Sequence, residues 1–407
     1  MSTNINTKLN KDLPILLVDT SYWLYYRFFA LRNWYSRAYP ENVSNNPNFN
    51  IEHNWLEDEV FIIKYKKLFI ENIKKLCKKF NTKLTNVVFC IDCPHNDIWR
   101  CSKTDNYKGG RLESHKKKQF NSFNLFSHIK RVFLPILQTN YNIKIFSCAN
   151  CEADDVIGYA SVSLINKGFK QIYILATDND YLQICNDKIH MINGNGNIIS
   201  IRNYNNSNGG IDNIEDIAGI DDGIGSGGGI SSGSINSIVV LGEIVLGEKY
   251  LISKILIGDT SDNIKCCSVD NGFISSNSNS NNSNNSNNSN NSNNNICNGN
   301  LKNITKTLAI QLINNKSIYT ILQNMLYSIR KVYVDIGSVD DIDSIENIDI
   351  ISSNIKHSSE TIKFKESLEN IKFITTDKFI ENTILMDFQM IPTKLKDNIE
   401  SKLLEVL

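Results

Sequence analysis

An α/β fold built on a central, mainly parallel sheet with helices on both faces is predicted by three observations. Short apolar runs alternate with helix-period segments over the first two hundred residues. Four of those runs deliver an acid at, or a few residues past, their carboxyl ends. The 407-residue chain is 41% hydrophobic, enough for one large core or two ordinary ones.

The elements follow in order. After a polar start that should fray, "LPILLVDT" reads as a buried strand ending at Asp19, and "TNVVFCID" as a second ending at Asp92. Between them Phe61, Tyr65, Leu68, Phe69, Leu76 and Phe80 recur at helical spacing, with lysines on the other face. "YNIKIFS" and "KQIYILATD" repeat the strand signature, and Asp154 to Asn166 between them has helical periodicity. In open α/β sheets ligands bind at the carboxyl edge of the strands, so acids scattered through the sequence are expected to converge there.

After Ile201 the composition changes. A glycine- and serine-rich insert, "GIGSGGGISSGS" at its centre, cannot bury enough surface to fold alone. A helix is expected over Ile244–Ile257, leading into "GDTSDNI". A second tract, roughly 268–300, is almost pure asparagine and serine and is expected to be a disordered surface loop. Helical patterning resumes at Lys302 and runs through an isoleucine- and asparagine-rich C-terminal region. The expected division is a core over 13–202, the insert over 203–240, a helical region over 241–330 interrupted by the asparagine tract, and a helical region over 331–407.

Charge is balanced, 43 basic against 43 acidic residues, so an anionic partner must be held by a local basic patch. Ten cysteines, no secretory leader and no apolar run long enough for a bilayer point to a reducing, intracellular, soluble setting without disulfides. Two CxxC pairs, Cys90 with Cys93 and Cys148 with Cys151, have a spacing that admits a four-thiolate zinc site. The plainer reading is preferred: Cys90 fills a strand and the others sit near strand ends.

Nine acids make up the candidate cluster: Asp19, Asp92, Glu152, Asp154, Asp155, Asp178, Asp180, Asp259 and Asp262. Like charges about 4 Å apart repel by roughly 4 kcal/mol at a partly shielded surface. A DxD or an EADD alone is an ordinary solvated helix start. Nine at one sheet edge call for opposite charge, which two Mg2+ or Mn2+ ions would supply. Two such ions about 3.5 to 4 Å apart can activate water against a phosphodiester.

With those residues in hand, the chain resembles the 5' nuclease superfamily of flap endonucleases and 5'-3' exonucleases. "VDTSYWLYYRFFA", "VVFCID", "YKGGR", "EADDVIGYA", "ATDNDYLQI" and "LIGDTSDNI" stand in that family's order. The similarity runs from about Leu13 to Asn263 and on to "MDFQMIP", and the form is most similar to members from large DNA viruses or AT-rich eukaryotes.

The resemblance implies a PIN-like core, a helical arch over about 99–130 and a helix-hairpin-helix type region. It implies that Glu152, Asp154, Asp155 and Asp178 surround the first metal and that Asp180, Asp259 and Asp262 lie toward the second, with Asp19 and Asp92 in support. All nine positions are acidic, which speaks against a catalytically silent relative. The stretch from Trp99 to Lys118 holds seven Lys or Arg against two acids. On composition alone that is a solvated charged helix; the resemblance makes it the arch that threads single-stranded 5' ends. Tyr107 would then stack on a base and Lys108 and Arg111 would act on the scissile phosphate, with Arg100, Lys116 and Lys117 as further DNA contacts. Lys306 and Thr307 fall where the family grips duplex DNA, in places with a potassium ion, but the hairpin is split here.

The function so implied is structure-selective, metal-dependent hydrolysis of DNA flaps, nicks or RNA primers in replication or repair. The partners are DNA with a flapped, nicked or single-stranded 5' end, or an RNA–DNA hybrid, and no membrane; no sliding-clamp motif is detectable. The rival readings are a PIN-type ribonuclease and a non-catalytic DNA-junction binder.

Overall fold

The computed structural model describes residues 8–44, 49–103, 107–108, 121–199, 239–240, 243–244, 246–270, 301–337 and 376–407. Two compact units are distinguished, Met1–Leu251 with Ile391–Leu407, and Ile252–Met390. Most of both long inserts and most of the expected arch lie outside the described residues.

In the first unit five strands form one parallel sheet: β1 (Ile15–Asp19), β2 (Val87–Ile91), β3 (Lys144–Ser147), β4 (Ile172–Leu175) and β5 (Ile189–Ile192), in the order β3-β2-β1-β4-β5. Four were legible in sequence; β5, "IHMI", was not.

The strands are buried on both faces, as parallel sheets require. Leu16, Val18, Val87 and Phe89 point into an aromatic core with α1 (Thr20–Ala38) and α2 (Glu59–Lys79). The alternate residues Ile15, Leu17, Val88 and Cys90 are buried as well. A helix at Phe123–His128, α3, passes through a π turn at Ile129–Phe133 into α4, Leu134–Tyr141, and α5 is Ala153–Asn166. α5 packs on β1 through β4.

Local chemistry starts the long helices. Asp19 caps α1 by accepting from Tyr22 N–H at 3.0 Å, and Asp58 caps α2 through Phe61 N–H at 2.8 Å. From α1, Trp23, Phe28 and Tyr35 meet Phe61, Tyr65 and Phe69 of α2, with Trp55 closing the cluster. Each such ring buried in full contributes roughly 1.5–3 kcal/mol.

A short hairpin, β6 (Val239–Val240) with β7 (Glu243–Ile244), precedes α6 (Gly247–Ile257). The last helix, α10 (Thr393–Val406), returns to the first unit: Glu400 accepts from Ser163 Oγ of α5 at 2.7 Å and pairs with Lys167.

The second unit carries the antiparallel pair β8 (Ser268–Asp270) and β9 (Leu301–Asn303), then α7 (Lys306–Asn314), α8 (Lys316–Gly337) and α9 (Thr376–Met386). The register Ser268↔Asn303 joins the two ends of the asparagine tract. Because the cost of closing a loop grows only slowly with its length, a short ladder can hold such ends together. Asn382 of α9 donates to Ile255 O at 2.8 Å and Lys265 O at 2.9 Å, and Asp387 of "MDFQMIP" accepts from Arg330 Nε at 2.6 Å. Among the described residues, no helix is long and apolar enough to cross a membrane.

Candidate metal centre

Since all five strands run the same way, their carboxyl ends share one edge. Asp19 is the last residue of β1, Asp92 directly follows β2, Glu152 follows β3 at the N-terminus of α5, and Asp178 lies just beyond β4. The strand order reverses at β1, between β2 and β4, which is where such sheets open a crevice. The sequence expectation of convergence is met for these acids.

Carboxylate oxygens of Asp154, Asp178 and Asp180 all lie within 4.8 Å of one another. Asp178 orients the group by accepting from Asp180 N–H at 3.0 Å. Burial first, then the neighbouring Glu152, holds the Asp154 carboxyl well above the usual carboxylate range, with Lys108 opposing. Asp19 is pushed up to about 7 by burial and by the charge of Asp92, against the lowering hydrogen bond from Tyr22. An all-oxygen donor set fits Mg2+ or Mn2+ better than softer metals. The residues present therefore fit a divalent cation.

Other acids are engaged by protein donors. Asp92 accepts from Ser21 Oγ at 2.6 Å and from Ala153 N–H at 3.0 Å, and Lys130 Nζ reaches Ser21 Oγ at 3.3 Å. Asp155, fully buried, pairs with Arg100 Nη2 at 2.7 Å, accepts from Trp99 Nε1 at 3.1 Å, and reaches back to Glu152 N–H at 3.1 Å. Glu152 accepts from Arg100 Nη1 at 3.3 Å, Tyr107 Oη at 2.9 Å and Lys108 Nζ at 2.5 Å.

Arg100 and Tyr107 thus sit differently from what the resemblance implies. Arg100 is 3% exposed and Tyr107 6%, both beneath the surface and bound to acids, rather than open to a DNA strand. Lys108 is buried too, with a left-handed φ of 54°, a conformation uncommon for a residue with a side chain. Arg111, Lys116 and Lys117 lie outside the described residues.

In the second unit, Asp259 pairs with Lys254 at 3.0 Å and accepts from Ser261 N–H at 2.8 Å and Ser261 Oγ at 2.6 Å. Burial would raise its carboxyl, but Lys254 and Ser261 outweigh that and hold it low. The turn closes by a bridge between Asp259 and Ile264, and Gly258 is required at its start: its φ is +76°, and a Cβ would stand 2.5 Å from Ile264 O. Asp262 is buried in the same turn. Lys306 and Thr307 are exposed on the first turn of α7, where Thr305 accepts from Leu308 N–H at 3.3 Å.

Trp99, Ser21 and Lys130 are contributors that sequence reasoning missed. Ser21, two residues past a strand-end acid at a helix start, carried a usable signal; Lys130 carried none. No group of three metal-ligating side chains among the described residues includes a cysteine, so the four-thiolate zinc site that the CxxC spacing admitted is not formed there.

Metal-free protein should lose stability as pH rises. An acid whose folded pKa exceeds its unfolded value binds more protons when folded, so Asp19 supports the fold below about pH 4 and that support fades as pH climbs through about 7. In EDTA the melting temperature should fall between pH 5 and 7.5, and Mn2+ should restore it at pH 7.5. A melting temperature that stays level or rises over that interval in EDTA would contradict the assignment.

The geometry defines an α/β domain with carboxylates gathered at the carboxyl edge of a parallel sheet. Residues 14–209 match the family model described as 5'-3' exonuclease, N-terminal resolvase-like domain. A curated 5'-3' exonuclease from Buchnera aphidicola subsp. Schizaphis graminum (strain Sg) is 28% identical over 190 residues, 46% of this chain and 54% of the relative. The chain thus spans about half the length of the curated relative it matches. Among solved structures, T5 D15 protein co-crystallised with metal ions aligns with a TM-score of 0.46 at 12% identity, covering 97% of this chain and 99% of that one. T5 5'-exonuclease with bound zinc aligns at 0.45 and 14%, with the same coverages.

Proposed function

We propose that the chain is a divalent-metal-dependent, structure-selective 5' nuclease. It hydrolyses phosphodiester bonds at DNA flaps, nicks or RNA primers and leaves a 5' phosphate. The observation that carries this reading is the trio Asp154, Asp178 and Asp180, with oxygens within 4.8 Å of one another, inside the segment that matches the family model.

Two Mg2+ or Mn2+ ions would supply an activated water and neutralise the leaving oxygen. Asp154, Asp178 and Asp180 would hold them, Glu152 would complete the shell, and Asp259 and Asp262 would serve the second ion. Asp19 and Asp92 would set the floor of the site. Asp155, through Arg100 and Trp99, would position Glu152 rather than ligate. The partner is DNA with a free or flapped 5' end, with an RNA–DNA hybrid as a further substrate. Arg111, Lys116 and Lys117 would track its phosphates. Lys306 and Thr307 would grip the duplex, with potassium as the ion such a hairpin would bind.

Lys108 would leave Glu152 and meet the scissile phosphate, stabilising charge as the bond breaks. Lys108→Ala should lower the single-turnover rate roughly 100-fold with only a small loss of DNA affinity. Equal losses in rate and binding would reduce Lys108 to a docking residue.

Digestion of an end-labelled 5' flap duplex with and without Mg2+ tests the function. Short 5' products that require the metal support it. Flap binding without cleavage in Mg2+ or Mn2+ would favour the junction binder, and preference for a matched RNA strand would favour the ribonuclease.

A further inference from the structure

Next to the acids lies a thiol pair that the nuclease reading does not use. Cys148 follows β3, and Cys151 directly precedes Glu152. The two close a turn in which Cys151 N–H donates to Cys148 O at 3.3 Å, with Asn150 in the left-handed region at φ 62°. A turn of this type brings the first and fourth Cα atoms within about 7 Å, the upper reach of a disulfide. All the described cysteines are free.

The turn also braces the acid cluster. Asn150 O accepts from Trp99 N–H at 3.0 Å, and Cys151 O from Cys93 N–H at 3.0 Å. Those bonds fix the segment from which Trp99 and Arg100 reach Asp155 and Glu152. Cys148, 3% exposed, lines a shallow depression with Phe146, Val156, Ile399 and the cationic Lys402, and Cys151 is fully buried.

We infer that Cys148 and Cys151 form a peroxide-oxidisable dithiol whose closure to a disulfide reshapes the Glu152 cluster. Cys148, as thiolate, attacks a hydroperoxide: an S–O bond forms, the O–O bond breaks, and the released hydroxide or alkoxide takes up the thiol proton. Cys151 sulfur then attacks Cys148 sulfur, the S–S bond forms, the S–O bond breaks, and water leaves with the second thiol proton. With hydrogen peroxide the balance is two thiols and one peroxide to one disulfide and two waters. The neighbouring Cys151 thiol and, against burial, Lys402 draw the Cys148 thiol down to about 7, in keeping with its role as the attacking sulfur. Closure brings the two sulfurs to about 2.05 Å of each other. The turn must follow them, and Glu152 and the Trp99 anchor with it.

The effect on metal rests on the metal reading above; the disulfide does not. The full chain is treated with hydrogen peroxide, alkylated, digested and mapped by mass spectrometry, and Mn2+ affinity is titrated before oxidation, after it and after re-reduction. The expected result is a Cys148–Cys151 disulfide, with Mn2+ bound at least about threefold more weakly in a way that reductant reverses. Cys148→Ser should abolish both changes, and because the wild-type chain carries the mapping, the test survives a variant that fails to fold. Alkylation of both thiols after oxidation, or a mapped disulfide with unchanged Mn2+ affinity, would overturn the inference. A reduced protein that binds no Mn2+ would sink the metal reading instead, and the absence of the mapped bond would separately sink the dithiol.

Discussion

Asp178→Asn is expected to abolish metal-dependent cleavage while leaving the protein folded. Asp178 is exposed, orders the Asp180 backbone, and lies within a few ångström of Asp154 and Asp180. Losing one carboxylate from a cluster that holds the ions removes several kcal/mol of transition-state stabilisation, a rate loss on the order of 1000-fold or more. Repulsion inside the cluster falls at the same time, so the metal-free variant should be at least as stable as the parent. Rates on a 5' flap substrate in Mg2+ and urea melts in EDTA measure the two sides. Cleavage within tenfold of wild type would remove Asp178 from the site.

Asp155→Ala should show the opposite pattern, with stability lost first. Its carboxylate answers Arg100, Trp99 Nε1 and the Glu152 amide in a fully buried position. Removing it takes the 2.7 Å partner from a guanidinium that is 3% exposed and leaves Glu152 at 3.3 Å to answer it. Breaking one side of a buried ion pair costs roughly 3–5 kcal/mol, a large share of the roughly 5–15 kcal/mol that holds a typical domain folded. Urea unfolding should show a lower midpoint with an unchanged slope. A stability loss under about 1 kcal/mol would mean that Asp155 is free to ligate, as the resemblance alone implies. The contrast between Asp155 and Asp178 separates acids that build the site from acids that work in it.

How much of this was legible in the sequence follows from what each signal depends on. Apolar runs ending in acids are local, and they disclosed β1 to β4 and the convergence of Asp19, Asp92, Glu152 and Asp178. The four-residue β5 carries His190 and Met191 and has no acid at its carboxyl end, so neither pattern nor chemistry marked it. The burial of Arg100 was not legible for a tertiary reason. A cation in a run of seven reads as solvated or DNA-facing, and only the fold brings Glu152 and Asp155 around it. Tyr107 and Lys108 share that history, since Glu152 is 45 and 44 residues away along the chain. The C-terminal region had no chemical reading in sequence, yet Asp387 proves to anchor Arg330 and Glu400 to fasten α10 to α5.

The central claim is that Asp154, Asp178 and Asp180 bind a divalent cation together. Anomalous diffraction from crystals grown with Mn2+ reads it directly. The account predicts a manganese peak within coordination distance of oxygens from all three. Crystals at saturating Mn2+ with no peak at those carboxylates, or with manganese held only elsewhere on the chain, would contradict it.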